Sequence, residues 1–297
     1  MVAIRFKMNK LYILPELFLT LFIVFFADSA SWAQEVQSPR SEKEFCGFAK
    51  NPEKFQQLAY ASTARMDFSN HGGLINGGVC WWHSRFQRAA IYLTIFRPDL
   101  QKPTVSEAKN IINTLRKKNG VVTIPGYQDF NEFSHDFSEE IQTTLEKWQK
   151  IDGFLKFKWL QGLSGSSEIP PEKMKTRMDK LYELVGIQKK IAFQMLQLKG
   201  VVSHAWNVIG VVKTTDGYDL FVIDSNQPIS TEKYSYHFGD SSFHSSYGNF
   251  VPYTEESSEV GEINARIKNV CGFEIFPKTS ADQDDSTSQI YSSNLIR

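Results

Sequence analysis

The sequence predicts an α+β fold, with helices through most of its length and an antiparallel sheet towards the end. Two observations carry that expectation. From Pro52 to Leu198 the apolar residues recur mainly every three or four positions, whereas from Val201 the period drops to two. The second is turn chemistry, because Asp216-Gly217 separates two alternating runs in the manner of a hairpin.

Taken in order, Pro52 to Ala64 reads as a helix, with Pro in the first turn and Phe55, Leu58 and Ala61 at helical spacing. Asn70 to Gly78 (NHGGLINGG) holds four glycines in nine residues and reads as a loop with unusual backbone angles. Cys80 opens an aromatic and aliphatic helix that Arg97-Pro98 ends. Thr104 and Glu107 fit a capping box for a helix to Asn119, stopped by Gly120. Gly120 to Gly126 reads as a short strand. Phe133, Phe137, Ile141, Leu145 and Trp148 place an amphipathic helix over Asn131 to Trp148. Pro171 to Leu198 reads as a long helix interrupted at Gly186. Val201 to Val212, Asp219 to Asp224 and Tyr234 to Phe238 read as strands, and Phe276 as the last core residue.

Composition narrows the function. The 33 basic and 33 acidic side chains cancel, which argues against a nucleic-acid partner. Residues 1–33 read as an export signal: Arg5, Lys7 and Lys10 precede an apolar run from Leu17 to Ala27, and Ser31-Trp32-Ala33 offers a cleavage site. That run is short for a bilayer span, which needs about 20 residues, and Pro15 and Glu16 break the stretch. A secreted or periplasmic protein with no stable membrane insertion after cleavage is expected. Residues 34–44 read as a polar linker, 45–277 as the catalytic domain with a helical insert over about 100–200, and 278–297 as a disordered polar tail.

An oxidising compartment permits disulfides, and three cysteines leave one thiol over. A Cys46–Cys271 bridge would tie the two ends of the folded part together and leave Cys80 free. The alternative pairing puts Cys80 in a bridge and makes it purely structural.

A thiol is a useful nucleophile as a thiolate, which a helix N-terminus and a neighbouring histidine both stabilise. Cys80 has both in prospect. His204 starts the run SHAWNVIG and is the candidate base; Asp224 ends the run FVID and is the candidate orienting residue, with Asn226 as the fallback. Asn76 and the backbone N–H of Cys80 are the candidate oxyanion donors. His71 and His83 flank Cys80, but no second pair of ligands accompanies them, so neither a metal nor any other cofactor is expected. His237 and His244 lie in a Ser/Tyr-rich stretch that reads as a surface loop.

The blocks GGVCWW, HAWNVIGV and FVIDSN together resemble the papain-like cysteine peptidases. In that family a Cys-Trp pair opens the central helix, a His starts a sheet strand, and an Asn or Asp follows on the next strand. The separation of His204 from Cys80 sits near the low edge of the family's approximate 130–150 residues. The resemblance implies a papain-like fold and a Cys80–His204–Asp224 triad of the bacterial Cys-His-Asp kind, acting on protein or peptide amide bonds through a thioester. One departure concerns the oxyanion donor: the Gln that the family places six residues before the nucleophile is Leu74 here. The same three residues would also serve a cell-wall amidase or a transglutaminase-like acyltransferase. A non-catalytic exported binding protein, in which Cys80 merely packs, is the rival from another class.

Overall fold

Helix α1 (Glu42–Ala49) opens the fold, with Ser41 as its N-cap accepting from the Glu44 N–H. In this computed structural model the described residues are 36–71, 79–151, 165–200, 202–246, 248–252 and 258–276. The export signal, most of the glycine loop with Leu74 and Asn76, part of the helical insert and the polar tail lie outside them. Among the described residues no helix is long and apolar enough to cross a membrane.

Helix α2 (Glu53–Tyr60) stops short of the expected Ala64, and a 3-10 turn follows over Ser62–Ala64. The break gives the Arg65 guanidinium access to the carbonyls of Ala59 and Tyr60 at the helix end, which it caps at 2.9 and 3.2 Å. Helix α3 (Cys80–Leu93) runs through the centre, and every residue of it except Arg85 is buried. The sequence extended this helix to Phe96. Instead β1 (Thr94–Arg97) begins at once, because Thr94, Ile95 and Phe96 suit a pleated surface and the Thr94 hydroxyl donates to the Ala90 carbonyl at 2.7 Å. It pairs in parallel with β2 (Val122–Pro125), and helix α4 (Val105–Lys117) makes the crossover that parallel strands require.

The capping box of Thr104 and Glu107 is present at the start of α4. Its end differs from expectation: Lys118 itself takes the left-handed conformation, at φ 51°. The Lys118 ammonium reaches Glu259 and Glu262, and its carbonyl accepts from Arg266, which together hold a backbone state costing roughly 1–2 kcal/mol. The apolar stripe over Asn131 to Trp148 belongs to two helices, α5 (Phe130–Asp136) and α6 (Ser138–Lys150), broken at Phe137. Phe137 is buried against Tyr127 and Phe133, so the stripe survives a kink that periodicity alone does not register.

Pro171 to Leu198 likewise divides. Helix α7 (Pro171–Leu181) passes into a π-helical turn at Tyr182–Ile187, and strand β3 (Ala192–Gln197) follows with all six residues buried. It takes the centre of a six-stranded antiparallel sheet with β4 (Ser203–Lys213), β5 (Gly217–Asp224), β6 (Glu232–His237), β7 (Phe243–Ser245) and β8 (Gly248–Pro252), in the order β6-β5-β4-β3-β8-β7. The fold is thus α+β, with an N-terminal helical part and a sheet after it. The hairpin between β4 and β5 turns at Thr214–Asp216, and a Cβ at Gly217 would collide with the Tyr236 carbonyl, so only glycine fits there.

Helix α8 (Ser258–Cys271) closes the described chain and ends in a disulfide from Cys271 to Cys46 of α1, with their Cα atoms 5.4 Å apart. Ile263 and Ile267 of α8 join the helical core, as do Ile275 and Phe276 just beyond it.

Candidate active site

The site is assembled from the starts and ends of three elements. Cys80 is the first residue of α3, where helix N–H groups lack intrahelical partners and the dipole favours negative charge. It is the free cysteine, and it is buried with Trp81, Phe193, Met195 and Ala205 around it. Two hydrogen bonds lock α3 to the sheet: Asn207 Nδ2 donates to the Ser84 carbonyl at 2.7 Å, and Ser84 Oγ donates to the Ala205 carbonyl at 3.2 Å. The start of β4 is thereby fixed beside the start of α3.

Strand register then decides which side chain meets His204. Trp206 lies opposite Asp224 in the β4–β5 ladder, so His204, two residues back on the same face, is the diagonal neighbour of Asp224. Continued pairing would set Asn226 directly opposite His204. The chain turns first, with the Gln227 N–H donating to the Asp224 carbonyl at 3.0 Å, and Asn226 is drawn aside. His204 Nε2 therefore donates to Asp224 Oδ1 at 2.7 Å, and the backbone N–H of Asn226 donates to the same oxygen at 2.7 Å.

Both members of this pair are largely withdrawn from water, with side chains 12% and 6% exposed. Burial by itself would depress the imidazolium of His204. The hydrogen bond to Asp224, with the interactions of Asp224 and Cys80, outweighs it and pushes His204 up to about 10. Since Nε2 is held by Asp224, Nδ1 is the nitrogen left for the sulfur. A small recess walled by Leu196, Leu198, Trp206, Tyr234 and Phe250 abuts the pair, and its low polarity strengthens every charge interaction beside it.

The chain matches no protein-family model, no curated protein and no solved structure. The geometry accordingly stands on its own.

The other histidines are elsewhere or otherwise engaged. His83, one turn along α3 from Cys80, is fully buried; desolvation pushes it down to about 4, and neutral Nε2–H donates to the Phe68 carbonyl at 2.9 Å. It is therefore committed as a donor to the backbone. His71 is exposed with Nδ1 2.9 Å from the Ser69 carbonyl. Tyr234 to Phe238 gives a strand, β6, as expected, but the rest of the stretch read as a surface loop forms β7 and leads into β8; His237 ends β6 near Asp240, and His244 of β7 lies 2.6 Å from Asn249 Oδ1. The reading failed because Ser, Tyr and His alternate there with few aliphatic residues.

Cys80, His204 and Asp224 are thus brought together. Asn76 lies outside the described residues. Sequence reasoning missed Asn70, whose side chain accepts from the Val79 N–H at 2.5 Å and donates to Asn226 Oδ1 at 3.0 Å. The available signal was its place at the head of the glycine loop, where a short amide commonly organises the backbone. Also missed was Glu259 of α8, which reaches Arg85 and Arg88 of α3 at 3.2 and 2.6 Å and so ties the two helices together.

Proposed function

We propose that this protein is an exported cysteine hydrolase of papain-like organisation, acting on peptide amide bonds. The single observation that carries the reading is the 2.7 Å bond from His204 Nε2 to Asp224 Oδ1, with Cys80 at the start of the neighbouring helix. A buried histidine held between a carboxylate and a thiol at a helix start is the arrangement that makes a thiolate nucleophile.

In this reading the Cys80 thiolate attacks the scissile carbonyl, and the backbone N–H of Cys80 stabilises the oxyanion. The His204 imidazolium gives its proton to the leaving amine as the C–N bond breaks, leaving a thioester on Cys80. Neutral His204 then takes a proton from water, whose oxygen attacks the thioester. The C–S bond breaks, the acid is released and the sulfur leaves as thiolate, so the proton that His204 took from water restores the thiolate–imidazolium pair. Asp224 keeps Nε2–H engaged, so that Nδ1 always faces the sulfur. The order of parts supports the papain-like organisation: a cysteine opening a buried helix, a histidine opening a strand, an acid ending the next one. The Cys46–Cys271 bridge supports export.

The test is alkylation of the native protein with iodoacetamide at pH 6, followed by mapping of the modified cysteine. Rapid labelling of Cys80 that is lost in His204→Ala is expected. A Cys80 that labels no faster than a free thiol returns the protein to the class of exported binding proteins. Casein and purified cell wall, offered in parallel, separate a peptidase from a cell-wall amidase.

A further inference from the structure

We infer that Asn70 is a positioning residue that bolts the nucleophile's helix to the turn behind its acid partner, through a ring of contacts around the site. The inference rests on the proposed triad and adds to it a part that the triad does not contain. The ring runs from the Val79 N–H to Asn70 Oδ1 at 2.5 Å, and from Asn70 Nδ2 to Asn226 Oδ1 at 3.0 Å. It continues from the Asn226 N–H to Asp224 Oδ1 at 2.7 Å, and from that oxygen to His204 Nε2 at 2.7 Å. The ring closes through the interaction of His204 with Cys80, which is covalently next to Val79. A further bond, from the Asn70 N–H to the Ser225 carbonyl at 2.7 Å, fixes Asn70 on the turn.

The chemistry calls for an amide at this position. Val79 is the N-cap of α3, and the N3 residue that could accept from its N–H in a capping box is Trp82, which has no acceptor, so the acceptor comes from a residue nine positions away. Asn70 must accept there and donate to Asn226 at the same time. Aspartate has no N–H to give, and it would set a negative charge at the helix end that stabilises the thiolate. Alanine does neither task. A neutral amide ties the two elements and leaves the helix dipole available to the sulfur.

Asn226 supplies the second variant. Asn226→Ala removes the acceptor of the Asn70 amide while its own backbone N–H stays on Asp224. The experiment measures the second-order rate of Cys80 alkylation by iodoacetamide at pH 6 and pH 9, with thermal melting, for wild type, Asn70→Ala, Asn226→Ala and the double variant. The expected result is a pH 6 rate about tenfold lower in each single variant, with a much smaller loss at pH 9. The double variant should be no slower than the worse single one, because both substitutions cut one chain of bonds. A purely structural role would lower both rates together, in step with the melting point. If Asn70→Ala fails to fold, Asn226→Ala decides alone.

The inference is overturned if wild-type Cys80 is reactive at pH 6 and the folded variants keep its rate and its pH 6 to pH 9 ratio. It is overturned equally if the losses multiply in the double variant. A wild-type Cys80 that is unreactive at pH 6 sinks the triad reading and this inference with it.

Discussion

Asp224→Asn is the substitution that isolates charge from shape at the candidate site. The variant keeps an oxygen that accepts from His204 Nε2 and from the Asn226 N–H, both now 2.7 Å from Oδ1, and deletes the negative charge. Wild-type His204 is held at about 10 against burial, by its bond to Asp224 and its interactions with Asp224 and Cys80. Removing an opposite charge in contact lowers such a value by about 1–3 units, or roughly 1–4 kcal/mol of preference for the imidazolium. His204 in the variant should therefore titrate between about 7 and 9. The readout is NMR of protein labelled with 15N-histidine, in which His204→Gln identifies the resonance to follow. Stability should follow the same titration. A histidine raised above its unfolded value near 6.5 contributes stability that is complete below that pH and is lost as pH rises through the folded value. Urea midpoints of the wild type should then fall from about 6.5 to about 10, whereas those of Asp224→Asn should stop falling at a lower pH, with a smaller total loss. An unchanged His204 titration in Asp224→Asn, or a wild-type value near 6.5, would refute the reasoning.

Two further outcomes concern the frame. Replacing both Cys46 and Cys271 by Ser opens a loop that spans 225 residues, for which chain entropy gives about 5 kcal/mol; a urea midpoint close to wild type would contradict it. Glu259→Gln leaves Arg88, whose side chain is 1% exposed, without its carboxylate, and should cost roughly 3–5 kcal/mol in thermal or urea unfolding. Burial opposes the ionised Glu259, yet Arg88, Arg85 and Lys118 hold it down at about 2. Its contribution is present above about 4.5 and is lost as pH falls through about 2, so acid unfolding of the wild type should carry a limb that the Gln variant lacks.

What was legible in the sequence was local. The capping box at Thr104, the Asp216-Gly217 turn, and the placement of Cys80, His204 and Asp224 at element ends all depend on neighbours in the chain. Strand β3 was hidden because a strand buried on both faces shows no alternation, and Phe193, Met195 and Leu196 then read as readily as helix. Helix α8 was overlooked although Val260, Ile263, Ile267 and Val270 recur every three or four residues. Its polar remainder masked the stripe. The choice of Asp224 over Asn226 needed the register and the turn that ends it, neither of which sequence spacing fixes. The place of Asn70 at the head of the glycine loop hinted at a backbone role, but its partners, 9 and 156 residues away, needed three dimensions.

The Cys46–Cys271 bond has a consequence for how the chain survives being cut. Any single backbone scission between those residues leaves two fragments that stay covalently joined, each still seated on the common core. Exposed connections are where proteolytic nicks fall. Here a nick would leave the mass unchanged on a non-reducing gel and release fragments only with reductant. The bond that fastens the first helix to the last thus also makes a cut chain behave as one molecule.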